Sequence, residues 1–343
     1  MKVLQILHTD ETGGIRTLAN MVAGGLLELG HSVETVFIYR DSSLSRARKL
    51  GSALSAGWEL FRSTADVVVT YQATASILAG TAGRLGRSRL RVVHQTAVPE
   101  VTAWPLRIGD KLVGSLGGYS ANVMNSRTTM GCFASYPARY RKHAVLIEHG
   151  IVPATPDLNR QATRERFNLP DRAPLLLNVG RLVDQKNQAV VVRALREVPE
   201  AVFAIAGGGE LKSAYRLAAK KEGVEDRVFF LGDLSPRDVG NLLAAADVFV
   251  FPSTWETFGL AGGEAAIAGL PIVASDIPVL REVLVTGKDA PVRFAAPQSV
   301  MEWAAAINEL LKSRPSTERY AAEMADRFSR KRMIEKYAAL LET

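Results

Sequence analysis

The chain has 343 residues, enough for two domains with a substantial buried core. With 47% hydrophobic and 22% charged residues, wholesale disorder is excluded. The longest uncharged stretch, Val67 to Gly83, is interrupted by Thr70, Gln72, Thr74, Ser76 and Thr81, so it does not supply the ~20 apolar residues of a membrane span.

The net charge of +7 sits in one half. Residues 1–155 carry 17 Lys and Arg against 10 Asp and Glu, and the remainder carries 25 against 25. A basic half beside a neutral half points to an anionic partner for the first; nucleic acid, an acidic membrane and a phosphorylated substrate all qualify.

In chain order, Val3–Leu7 predicts a strand, without the regions of a signal peptide. A Gly-Gly turn follows. Ile15, Leu18, Met21, Val22, Leu26 and Leu29 then recur at helical spacing until Gly30 ends the helix. Val33–Ile38 is the next strand. Leu44, Ala47, Leu50, Leu54, Trp58 and Phe61 form a second helical stripe, which reads as packed on the first sheet. Arg46, Arg48, Lys49 and Arg62 lie mostly off that stripe. Further strands are predicted at Val67–Thr70, Leu90–Val93, Val123–Met124 and Ala144–Ile147. Ile151–Asp157 contains two prolines and reads as a linker. Beyond it the strands are Leu175–Val179, Val202–Ala206, Val228–Leu231, Val248–Phe251 and Pro271–Ala274.

Unbroken Val/Ile/Leu runs separated by helices indicate parallel sheets covered on both faces. The expected fold class is α/β, with two doubly wound Rossmann-like domains, residues 1–152 and 153–327, facing a cleft. Ligands of such sheets bind beyond the carboxyl ends of the strands. Cys132 is the lone cysteine, which makes no internal disulfide and fits a reducing cytoplasm.

Four segments at strand ends carry chemistry. Thr12-Gly13-Gly14 can bring backbone amides to an anion at a helix N-terminus, or be simply a tight turn. It is not G-x-G-x-x-G, and Asp41 lies too far on for the usual ribose-binding acid. Arg181 and Lys186 share one strand-to-helix loop, where a guanidinium fork and an ammonium can clamp a diphosphate. Gly207-Gly208-Gly209 leaves bare backbone after a strand, or a flexible connection. The most specific segment is Trp255–Ala266. A helix expected from about Phe258 to Ala268 points the amides of Phe258, Gly259 and Leu260 at an anion. Glu256 lies just outside that N-terminus and Glu264 about 9 Å further along the axis. One straight ligand could touch all three: polyhydroxyl at Glu256, phosphate at the amides, ribose diol at Glu264. Gly262 and Gly263 weigh against an ordinary helix, since each costs about 1 kcal/mol relative to Ala. His94 ends a strand of the first half; its residue type leaves a structural hydrogen bond and a site role both open. No Asp-x-Asp and no His or Cys spacing suggests a metal.

With these residues the chain resembles the retaining glycosyltransferases of the GT-B fold, in particular glycosyltransferase family four. The likeness rests on Glu256-x7-Glu264 around Phe258-Gly259-Leu260, on Gly180-Arg181-Leu182 with Gln185-Lys186-Asn187, and on Gly207–Leu211, Phe230–Gly232 and Gly13-Gly14. It implies that Arg181 and Lys186 hold the donor diphosphate, and that Glu256 and the Phe258–Leu260 amides contact sugar and distal phosphate. Glu264 would bind the ribose, the segment around Gly232-Asp233-Leu234 the base, and Gly208 is counted among the donor-binding residues. Gly14 would approach the phosphate from the first domain, and His94 the transferred sugar. It also implies that residues 328–343 return to pack on the first domain, where the acceptor binds. The hinge departs from the family's Asn-Gly-Ile-Asp, reading His149-Gly150-Ile151-Val152.

The expected activity is sugar transfer with retention from a nucleotide sugar, UDP first and GDP second, to a glycan or lipid-linked acceptor of the cell envelope. No metal cofactor and no nucleic-acid partner are implied. Arg84, Arg87, Arg89 and Arg91 add to a basic face suited to the inner surface of the cell membrane. The rival readings are an epimerase or phosphorylase of the same architecture and a silent nucleotide-sugar-binding subunit. The intact Arg181, Lys186, Glu256 and Glu264 argue against silence. A dinucleotide oxidoreductase is disfavoured by the missing G-x-G-x-x-G.

Overall fold

The computed structural model describes residues 1–10, 13–39 and 45–342, with Arg46 described by its backbone alone. The sequence expectations for Thr12, Asp41 and Leu44, and for the Arg46 side chain, therefore lie outside the described residues. The chain divides into two compact units, Met1–Gly150 with Phe328–Thr343, and Ile151–Arg327.

The first unit is built on six parallel strands: β1 (Lys2–Leu7), β2 (Ser32–Phe37), β3 (Val67–Thr70), β4 (Leu90–His94), β5 (Ala121–Met124) and β6 (Ala144–Leu146). Their order is β2-β1-β3-β4-β5-β6. β3 and β5 are buried along their whole length, as strands of a doubly covered sheet are. One face of the sheet carries helix Gly14–Glu28 and the last helix, Arg330–Leu341, in a single core with Val3, Val67 and Val92. These two helices approach closely because Gly25 has no side chain: a Cβ there would lie 2.3 Å from Ile334. Arg330 pairs with Glu28 at 2.8 Å along the same contact. The other face carries helices Arg46–Arg62 and Trp104–Ser115, each packed on the segment Ala73–Gly83.

The second unit has β7 (Leu175–Val179), β8 (Val202–Ala206), β9 (Val228–Gly232), β10 (Val248–Phe251), β11 (Ile272–Ser275) and β12 (Val292–Ala295). All are parallel, in the order β12-β11-β10-β7-β8-β9. β12 is not among the predicted strands. It is four residues long and interrupted by Arg293, and only its pairing to β11 at the sheet edge holds it extended. Residues 151–157 belong to this unit: Asn241 accepts from the amides of Asp157 and Leu158 at 2.9 and 3.1 Å.

Candidate active site

In the second unit the strand order changes direction between β7 and β10, and such switch points open a crevice at the carboxyl edge. The loops that follow these two strands carry Arg181 and Lys186 after β7, and Glu256 and the Leu260–Ile267 helix after β10. Backbone and side-chain bonds join them: the Thr254 amide donates to the Gln185 carbonyl at 2.8 Å, and the Gln185 amide group donates to the Trp255 carbonyl at 2.9 Å.

Lys186 and Glu256 meet directly. Lys186 Nζ is 2.5 Å from Glu256 Oε1, and their side chains are only 18% and 10% exposed. The ammonium also lies 5.6 Å from the centre of the Phe251 ring. The two cations of this loop are therefore not equivalent. Lys186 has one of its three donors committed to a carboxylate. Arg181 is exposed and makes no ion pair among the described residues.

The three glycines are not a flexible connection. Gly207 and Gly209 have φ of +141° and +151°, and a Cβ on them would lie 2.2 Å from the Gly180 carbonyl and 2.4 Å from that of Leu182. The Leu182 amide donates to Gly208 at 2.8 Å, zipping the two loops together. The Gly208 amide donates to Asp233 Oδ1 at 2.8 Å. Asp233 thus braces the loop, and half-buried Leu234 follows it.

The helix after β10 is shorter than expected. It runs from Leu260 to Ile267, and Gly259 before it is left-handed at φ +93°. Phe258 lies outside the helix with its side chain buried. The first intrahelical bonds are the amides of Gly262 and Gly263 donating to the Gly259 carbonyl, at 3.0 and 3.2 Å. The amides of Leu260 and Ala261, in the first turn, have no acceptor within the helix. Gly262 and Gly263 serve packing: a Cβ would lie 2.8 Å from Phe251 and 2.2 Å from Ile151 respectively. Glu264 is the fifth helical residue. Burial pushes its carboxyl up to about 7.

In the first unit the corresponding switch lies between β1 and β3. Gly13, at φ +153°, and Gly14 open the helix after β1, and the Gly13 carbonyl accepts from the Thr17 amide at 3.0 Å. A cavity of about 220 Å³ lies at this edge, lined by His8, Gln72, Gln95, Thr96, Arg107 and Tyr136 among others. Burial lowers His8 to about 4, so it is neutral at pH 7, and its Nε2 is buried without a hydrogen bond among the described residues. Asp110, at the cavity floor, accepts from Tyr119 and Tyr140 at 2.8 and 2.7 Å, and burial raises its carboxyl. Gln72, Gln95, Thr96 and Arg107 are absent from the sequence-derived site. The signal that could have found the first three is a polar residue within two positions of a buried strand end.

His94 is not open to this cavity. It is 2% exposed, its Nε2 bonded to the Tyr337 hydroxyl of the last helix and its ring stacked on Tyr71 at 5.0 Å. Burial and neighbouring His149 hold it well below the ordinary histidine range. The cause is tertiary: the last helix covers the strand end.

Residues 159–328 match the family described as glycosyl transferases group 1. Through this unit the chain belongs to that family. A member from Corynebacterium glutamicum, described as a GDP-mannose-dependent monoacylated alpha-(1-6)-phosphatidylinositol monomannoside mannosyltransferase, is 29% identical over 64% of the chain and 66% of its own length. The chain spans 38–66% of the length of the first curated relatives it matches. Among solved structures, sucrose-phosphate synthase from Thermosynechococcus elongatus superposes with a TM-score of 0.85 at 17% identity, covering 99% of this chain and 98% of that one. HepE of Anabaena, solved with UDP and glucose, gives 0.83 at 20% identity with both chains covered completely. At these identities the likeness establishes the fold, which is GT-B: two Rossmann-like units. Among the described residues no helix is long and apolar enough to cross a membrane.

Proposed function

We propose that the chain transfers a sugar from a nucleoside-diphosphate sugar to an acceptor hydroxyl, with retention. The observation that carries this reading is the switch point of the second unit, where Arg181, the Lys186–Glu256 pair and the Leu260 helix end share one edge. Charge builds on the diphosphate as the glycosidic bond breaks. Arg181, the uncommitted donors of Lys186 and the Leu260 and Ala261 amides would stabilise it without reorganising. Glu256 would hold sugar hydroxyls, since a carboxylate there repels phosphate. Glu264 would accept from the ribose diol, and the base would lie by Leu234. The anomeric C–O bond to phosphate breaks, the acceptor oxygen bonds to that carbon on the same face, and the acceptor proton passes to the departing phosphate. Gly13 and Gly14 would lie near the phosphates. His94, held by Tyr337, would act on the sugar only by positioning.

UDP is the first donor and GDP the second; relatives and structural neighbours carry both bases in their descriptions. The cavity of the first unit, with neutral His8 as acceptor and Arg107 beside it, suits a hydroxylated acceptor group. A glycan or lipid-linked acceptor of the envelope fits the phosphatidylinositol-based substrate of the Corynebacterium relative.

The test is a panel of UDP- and GDP-sugars, with and without polyol and lipid-linked acceptors. Release of the nucleoside diphosphate, continuing in excess EDTA, supports transfer. Interconversion of the sugar without release would make the chain an epimerase, consumption of phosphate a phosphorylase, and binding without turnover a silent subunit.

A further inference from the structure

The stripe expected to pack on the first sheet does not. In helix Arg46–Arg62, the residues that touch neighbours are Ala53, Ala56 and Leu60. Leu50, Leu54, Trp58 and Phe61 lie on the other side and are 43–67% exposed. At 100° per residue these four span an arc of roughly 80°. Trp58 and Phe61 stack on each other at 5.8 Å, so the outer face is itself an apolar cluster.

A second stripe lies on helix Trp104–Ser115 and its cap. Trp104, Ile108, Leu112 and Leu116 recur every fourth residue and are 47–69% exposed. The inner face of this helix packs through Gly109 on Ile77 and through Val113 on Gly80. Both helices therefore flank the segment Ala73–Gly83 on one face of the sheet, each with its apolar stripe outward.

The turn after that segment joins the two stripes. Arg84 donates to the Leu116 carbonyl at 2.6 Å, and Gly86 abuts the Phe61 carbonyl. Between them Leu85 is 77% exposed. Soluble proteins rarely leave so many large apolar side chains exposed in one contiguous layer.

The same layer is rimmed by cations. Arg48, Arg62, Arg84, Arg87, Arg89 and Arg107 are all exposed, and Lys111 lies beside Leu112. Arg91 does not belong with them. It is partly buried and donates to the carbonyls of Gly118 and Ser88, so it is a structural cation.

We propose that this helical layer of the first unit is a docking surface for an anionic lipid bilayer, into whose interface the two apolar stripes insert. The charge selects the occupant. A protein partner or a second copy needs opposite charge around an apolar centre, and a second copy would bring the same cations face to face. A bilayer of anionic lipid supplies both the negative plane and the apolar depth, with tryptophans at the boundary between them. The proposal needs no catalytic turnover, so it stands or falls apart from the transferase reading.

The test is co-sedimentation of the full chain with vesicles of phosphatidylglycerol and phosphatidylcholine, against phosphatidylcholine alone. Binding to the anionic vesicles at low salt is expected, with a blue shift of tryptophan fluorescence. Each exposed arginine replaced, as in Arg87→Ser or Arg89→Ser, should lower partitioning about fivefold at low salt and little at high salt. Leu54→Glu with Trp58→Glu, or Ile108→Glu with Leu112→Glu, should lower it on the order of tenfold or more at both, with an unchanged melting curve because these positions are exposed. Binding that ignores the glutamate substitutions would reduce the surface to electrostatic adsorption and overturn insertion. Indifference to anionic vesicles at low salt overturns the proposal outright. So does a concentration-dependent dimer that Trp58→Glu dissolves, which would assign the face to a second copy.

Discussion

The two units share an architecture and differ in what their switch points hold. In the second unit the edge between β7 and β10 gathers Arg181, an ion-paired lysine, a helix N-terminus and tightly packed glycines. In the first, the edge between β1 and β3 opens into a cavity with a neutral histidine, amides and hydroxyls. Yet the first unit is the basic half of the chain. Several of its cations, Arg48, Arg62, Arg84, Arg87 and Arg89, are exposed on the outer helical layer, and Arg107 also lines the cavity. Net charge by half therefore does not point to the proposed donor site, whose few oriented donors lie in the neutral half.

The comparison is broken most directly at the cations. Arg181→Ala and Lys186→Ala should each lower kcat by on the order of 10²–10³ with the fold intact. Lys186→Ala should be the worse, because it leaves Glu256 unpaired beside the diphosphate; Lys186→Ala with Glu256→Gln should recover part of the loss in donor affinity. Wild-type turnover in both single variants would remove the diphosphate assignment.

Acid separates the two units with opposite signs. Glu264 is raised to about 7, so its burial cost is absent below pH ~4.5 and present above 7: stability of the second unit falls as pH rises through that window. Glu264→Gln should gain up to about 3 kcal/mol at pH 8 and nothing at pH 4. His8 and His149 are lowered to about 4, so each gives the first unit stability that is present above pH ~6.5 and lost, up to about 3 kcal/mol per histidine, as pH falls toward 4; raised Asp110 opposes them there, and Asp110→Asn removes that opposition. Urea unfolding read by amide exchange in each unit checks both slopes; parallel slopes would contradict the assignment. Nucleotide binding at pH 7 should release a proton as the ribose diol donates to Glu264, seen as a buffer-dependent heat in calorimetry.

Smaller effects sharpen the picture. Tyr337→Phe strands His94 Nε2 in the core and should cost about 1–3 kcal/mol in the first unit alone. A comparable loss in the second unit would show that the effect is not local. Gly208→Ala places a methyl 2.8 Å from an Asp233 oxygen, at the far end of a side chain that can move. About 1 kcal/mol and a fewfold loss of nucleotide affinity are expected from equilibrium titration.

Local pattern determined much of this protein. Val67–Thr70, Leu175–Val179, Val202–Ala206 and Val248–Phe251 coincide with their strands residue for residue, because a doubly covered parallel strand is predominantly apolar. That Arg181, Lys186 and Glu256 lie in the loops of the second unit's switch point was legible because those loops directly follow buried strands. Strand β12 was not, since four residues with an arginine among them have no period, and it is pairing with β11 that makes them a strand. Helix periodicity revealed the stripe Leu50–Phe61 but not its direction. A helix with two apolar arcs buries the one that fits its neighbours, and Ala53, Gly57 and Leu60 fit Ala73–Gly83 more closely. His94 looked like an edge residue until the last helix, more than two hundred residues on, set Tyr337 against it. The sequence by itself determined which residues are strand, glycine or charge; only tertiary packing decided which faces meet water, because burial depends on neighbours that are distant along the chain.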